Sequence, residues 1–140
     1  ATKTFEQRAI AAPDQILPAA HGALRPTRGA AVAVARLEPQ RVSFSGVGNI
    51  AGVVASAQGS RKMISHNGTL GHVAKRFQAF EYPVTGPYVV VMHSDGLATS
   101  WSLDSYPGLI FADPALVAAV LYRDFNRGRD DVTVVVARGP

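Results

Sequence analysis

An α+β domain with mostly antiparallel pairing is the fold class that the sequence predicts, and three observations carry the expectation. Helix-like segments stand near the two ends, at residues 3–24 and 114–125, and strand-like segments fill the middle. The strand-like segments follow one another through short turns rich in Gly, Pro and Gln, as antiparallel neighbours do. The composition, 47% hydrophobic and 17% charged over 140 residues, can bury a core. No repeat, low-complexity stretch or linker divides the chain, so residues 1–140 read as a single domain.

Residues 3–24 read as helix in two pieces. Phe5, Ala9 and Ile10 make one apolar stripe; Pro13-Asp14 interrupts it, and residues 15–24 resume with Pro18 in the second turn. From Gly29 the signal changes to strand. GAAVAVARLE alternates and is rich in small and β-branched residues, and RVSFSGVG sets Val42, Phe44 and Val47 against Arg41, Ser43 and Ser45 until Gly46 disturbs the period. Glu38-Pro39-Gln40 is a turn between them. Residues 50–57 make a third strand, Gln58-Gly59-Ser60 a turn and residues 61–65 a fourth strand, so the four read as a meander. HNGTLGH, at residues 66–72, is a glycine-rich polar loop. Residues 79–84 form a short strand, Thr85-Gly86-Pro87 a turn, and residues 88–93 the most apolar strand of the chain. Residues 97–111 are mixed, with Trp101, Tyr106 and Phe111 packing a loop. Asp113 caps a helix that Pro114 opens, Asn126-Arg127-Gly128-Arg129 ends it, and Asp130-Asp131 leads into a last strand, VTVVVAR.

The formal charge of +4 invites a nucleic-acid partner, but its distribution argues against one. Arg and Lys are scattered, with no run longer than a pair and no aromatic interleaving. No window approaches the roughly 18 apolar residues of a membrane span, and ATKTFEQR lacks the apolar stretch of a signal peptide. The expectation is a cytoplasmic chain with neither nucleic acid nor membrane as partner. The absence of cysteine fits that compartment and leaves oxygen and imidazole as metal ligands.

Two segments share a construction that could carry chemistry. Ser94-Asp95-Gly96 follows a core strand, and Arg129-Asp130-Asp131 precedes one, so antiparallel pairing of those strands would bring Asp95 and Asp130 to one rim of a sheet. Hard cations such as Mg²⁺ and Mn²⁺ take oxygen ligands and keep several waters, so carboxylates on rigid strand ends suit them. The plainer alternative stays open, with Asp95-Gly96 as a turn and Asp130-Asp131 as a solvated loop pair. Other features point to structure. His66 and His72 lie six apart, unlike a helical His pair; Ser94 has no nucleophile elbow; Asn67-Gly68-Thr69 is a turn; residues 46–49 lack the lysine and helix of a phosphate loop.

The ordered set VVVMHSDGL, DPALVAAVL and GRDDVTVVVAR, together with FSGVGNI, HNGTLGH and SYPGL, resembles the PPM-type serine/threonine phosphatases. The similarity is to their SpoIIE-like branch and, within it, to RsbX-like proteins. The resemblance implies an antiparallel β-sandwich with flanking helices and a two-metal Mn²⁺ or Mg²⁺ centre with Asp95 and Asp130 among its ligands. Gly96 and Asp131 would stand beside those ligands without binding directly. It implies hydrolysis of phosphoserine or phosphothreonine by a metal-activated water, with no covalent phosphoenzyme, on a phosphorylated regulatory protein of a bacterial stress or sigma-factor pathway. The chain departs from the family at the bridging ligand. That ligand comes from an upstream DGxGH motif, whereas the only Asp-Gly here is Asp95-Gly96 and the only earlier aspartate is Asp14. Residues 1–24 resemble the helices that follow that motif, so the fold is expected to be the C-terminal portion of such a domain. It would then be either a piece of a longer phosphatase, which the alanine start favours, or a homologue that binds a partner without catalysis. Exposed sheet edges would favour a homo-oligomer.

Overall fold

Two β-sheets organise the chain in the computed structural model, which describes residues 2–8 and 11–140. The strands are β1 (Val32–Glu38), β2 (Arg41–Val47), β3 (Ala51–Ser56), β4 (Gly59–Met63), β5 (Phe80–Pro83), β6 (Tyr88–His93) and β7 (Val134–Arg138). One sheet has the order β1-β2-β5 and the other β4-β3-β6-β7. The helices are α1 (Thr2–Gln7), α2 (Pro13–Leu24) and α3 (Pro114–Phe125). The chain divides into two compact units, one of Ala1–Arg36, Val42–Ile50 and Ile64–Tyr82, the other of Leu37–Arg41, Ala51–Met63 and Pro83–Pro140.

The first unit contains α1, α2 and most of the β1-β2-β5 sheet. Ile16, Leu17 and Ala20 place one face of α2 against Val34, Val47 and Leu70. Of the predicted Phe5 stripe, Ala9 and Ile10 lie outside the described residues, and Phe5 is exposed. Strand β2 is buried from Val42 to Val47. Ser43 and Ser45, which alternation would turn to solvent, are both buried, so β2 is covered on both faces. Pro83, which cannot donate to a ladder, lies in β5, an edge strand. The HNGTLGH loop is held structurally. The Gly71 N–H donates to His21 Nδ1 at 3.1 Å, and His72 Nε2 lies 2.9 Å from the Thr27 carbonyl oxygen.

The second unit holds the other sheet and α3. The expected four-strand meander is not formed, since β2 pairs with β1 and β5 while β3 lies between β4 and β6. Gly48, at φ +104°, breaks the extended chain between β2 and β3, and a residue with a Cβ would be strained there. The β3-β4 turn also falls earlier than expected: Ser56 pairs with Gly59, so Ala57-Gln58 form a two-residue loop and β4 begins at Gly59. Strand β6 is antiparallel to β3 and β7, with Val91 opposite Val53 on one side and Val136 on the other. Its central position explains why it is the most apolar strand. Helix α3 begins at an Asp113 cap that accepts the Ala115 N–H at 2.8 Å, and it buries Val117 and Leu121, four residues apart, among Val53, Val89, Val91, Leu97, Trp101 and Leu103. Among the described residues no helix is long and apolar enough to cross a membrane.

Candidate functional site

Strand β6 ends at His93, and β7 begins at Val134, which is the register partner of His93. The antiparallel ladder therefore places Ser94-Asp95-Gly96 next to the segment that enters β7. Ser94 laces the two together. Its N–H donates to the Thr133 carbonyl at 3.0 Å, its Oγ accepts the Thr133 N–H at 3.0 Å, and the hydroxyl donates to the Asp131 carbonyl at 3.2 Å. These bonds give Ser94 a structural task. Gly96 is buried, and a Cβ there would collide with the Asp131 carbonyl oxygen and lie 2.9 Å from Val132 Cγ2. Only glycine lets the two segments approach this closely.

A third segment, the end of α3, closes the site. The Ala98 N–H donates to the Phe125 carbonyl at 2.9 Å, and the Arg127 N–H to the Gly96 carbonyl at 3.0 Å, with a bridge between Leu97 and Asn126. Asp95, Arg127, Arg129 and Asp130 line one concavity of about 440 Å³. The two aspartates thus line one concavity together with two arginines. The carboxylate Oδ1 of Asp130 accepts the Asp131 N–H at 2.8 Å, which orients that side chain on its own backbone.

Behind this wall lies a buried polar pair. The indole N–H of Trp101 donates to His93 Nε2 at 3.1 Å, so His93 carries its proton on Nδ1 and donates it to the Ser94 carbonyl at 2.8 Å. Burial pushes the imidazole below the usual histidine range; the bond to the Ser94 carbonyl opposes this and the Arg127 charge adds to the lowering. His93 is therefore neutral at pH 7, and it braces the strand end that carries Asp95.

Asp95 and Asp130 are the side chains of this concavity that could hold a hard divalent cation, and their oxygen chemistry fits one. They do not form a complete two-cation centre, because among the described residues no group of three or more His, Asp or Glu side chains comes together. His66 and His72 play no part in the concavity. Sequence reasoning missed Arg127 and Arg129, taking them as the end of a helix. Two arginines around a glycine, abutting a ligand-like aspartate, were the available signal.

No protein-family model and no curated protein matches the chain. Solved structures do. One is described under "The bacterial stressosome: a modular system that has been adapted to control secondary messenger signaling", with 27% identity, 89% of this chain and 66% of that chain covered, and a TM-score of 0.72. A second is RsbX in complex with magnesium, with 18% identity, 97% and 69% covered, and a TM-score of 0.79. A third is the phosphatase domain of the cell fate determinant SpoIIE from Bacillus subtilis, with 17% identity, 98% and 70% covered, and a TM-score of 0.56. The chain spans about two thirds of the length of the structures it matches. It has the α+β fold of the RsbX and SpoIIE phosphatase structures, which is the PPM phosphatase-type fold that its motifs resemble.

Proposed function

We propose that residues 1–140 act as one portion of a metal-dependent serine/threonine phosphatase domain. It would remove phosphate from a phosphorylated regulatory protein of a bacterial stress or sigma-factor pathway, in the cytoplasm. The observation that carries the reading is the shared concavity of Asp95, just beyond the end of β6, and Asp130, in the segment that leads into β7. The match to RsbX in complex with magnesium, and to a SpoIIE phosphatase domain presoaked with manganese at 18% identity and a TM-score of 0.60, supports a divalent cation as the partner of that pair. The stressosome match supports the signalling context.

In this reading Asp95 and Asp130 are the cation ligands, and Gly96 and Asp131 keep the two ligand segments in register. A bound divalent cation supplies charge neutralisation and a water of lowered pKa. The chain's own contribution is to hold the carboxylates in place through Ser94 and to exclude other geometries through the contact of Gly96 with Asp131. Among the described residues β1, β5, β4 and β7 are edge strands, and pairing of such an edge with a second copy would give a homo-oligomer.

Calorimetry with Mn²⁺ tests the ligand assignment. The unmutated chain should take up Mn²⁺ weakly, and Asp95→Ala and Asp130→Ala should each abolish the heat; no heat with the unmutated chain refutes both ligands. A second reading, a non-catalytic module that docks a protein partner, is favoured by the incomplete carboxylate set. A portion without the bridging ligand would also take up Mn²⁺ without turnover, so the result that selects the docking module is the absence of Mn²⁺ uptake by the unmutated chain.

A further inference from the structure

We infer that Arg127 and Arg129 recognise the phosphoryl group, so that the concavity takes up a divalent cation and a phosphate oxyanion together. The inference rests on the phosphatase reading for its substrate class. Arg127 and Arg129 line the same concavity as Asp95 and Asp130. Their formal charges cancel at neutral pH. A phosphate dianion entering alone meets two carboxylates, and a divalent cation entering alone meets two guanidiniums; the two entering together leave the site at the same net charge.

The backbone supports this placement. The bond from the Arg127 N–H to the Gly96 carbonyl fixes the Arg127 backbone beside Gly96, the residue that follows Asp95. Gly128, at φ +64°, lets the chain reverse between the two arginines, and its N–H is held by Asn126 Oδ1 at 2.7 Å. Arg129 is then the residue directly before Asp130. Among the described residues neither guanidinium is committed to an ion pair or a side-chain hydrogen bond, so both planar forks remain available to oxygen acceptors.

The test is calorimetric titration of inorganic phosphate into the whole chain, with and without saturating Mg²⁺. Phosphate should bind severalfold more tightly when Mg²⁺ is present, and Mg²⁺ should gain the same factor from phosphate. Arg127→Ala and Arg129→Ala should each weaken phosphate binding about tenfold, the loss of one charge-assisted contact. Their circular dichroism and their Mg²⁺ uptake in the absence of phosphate should be retained, and lysine at either position should restore part of the affinity. Phosphate binding that is indifferent to both alanine substitutions, with Mg²⁺ uptake intact, overturns the arginine assignment and leaves the metal reading standing. Arginine-dependent phosphate binding in a chain that takes up no Mg²⁺ upholds the arginine assignment and overturns the metal reading. Absence of phosphate binding in the unmutated chain with Mg²⁺ bound overturns the inference outright.

Discussion

Substituting His93 with phenylalanine removes the imidazole that links Trp101 to the Ser94 backbone while nearly preserving the volume at the end of β6. His93 is 3% exposed and Trp101 7%, so water cannot replace the lost acceptor, and the indole N–H becomes a buried donor without a partner. Such an orphan costs about 1–3 kcal/mol. The Ser94 carbonyl loses its bond from Nδ1 as well, but Ser94 is only partly buried, so that loss adds at most about 1 kcal/mol. The expected total is about 1–4 kcal/mol, a large share of the stability of a domain this size. Urea unfolding followed by fluorescence reports on the site directly, because Trp101 is the only tryptophan in the chain. The midpoint should fall with little change in slope. The double substitution His93→Phe/Trp101→Phe removes donor and acceptor together, so its cost, followed by far-UV dichroism, should be about 1–2 kcal/mol less than the sum of the two single substitutions. A single-variant loss under about 0.5 kcal/mol, or strict additivity in the cycle, would refute the claim that this bond braces the strand carrying Asp95.

Two further predictions concern the same region and the helix behind it. Gly96→Ala should destabilise by about 1–3 kcal/mol, because its Cβ must displace the Asp131 backbone, and it should weaken Mn²⁺ uptake although it removes no ligand; a folded variant with unchanged Mn²⁺ affinity would contradict the close packing of the two segments. The Arg123 guanidinium and the Tyr106 hydroxyl, at 2.6 Å, hold the Asp124 carboxyl down at about 2, against an ordinary value of 3.8. A depressed carboxylate stabilises the fold above its unfolded value, and that contribution is lost as pH falls from 3.8 through about 2. The stability gap between the unmutated chain and Asp124→Asn should therefore be present at neutral pH and close across that acid window, while a gap independent of pH would rule out the carboxylate as its source.

The amphipathic helix behind Asp113-Pro114, the apolar run of β6 and the closing strand, which starts at Val134 and not at Val132, were legible because each is governed by local rules: a cap, a fixed backbone angle, a run of β-branched residues. Asp95 stands just beyond β6, whereas Asp130 lies in the bend before β7. The meander was misread. Short turns between strand-like segments say that neighbours are close, but they do not say which edge a strand pairs with, and β3 takes β6, more than thirty residues away, in preference to β2. The burial of Ser43 and Ser45 escaped notice because polar–apolar alternation reads one face as solvated, whereas both faces of β2 are covered.

By itself the sequence determined where the carboxylates sit along the chain, which elements carry them, and that no thiolate could join them. Whether Asp95 and Asp130 face one concavity was decided by tertiary structure, through the pairing of His93 with Val134 and the bonds of Ser94. The presence of Arg127 and Arg129 in that concavity was decided in the same way, by a backbone bond to Gly96 that spans thirty residues of sequence. Such contacts depend on register between distant strands, and register is set by the burial of a whole sheet rather than by any residue's neighbours in sequence.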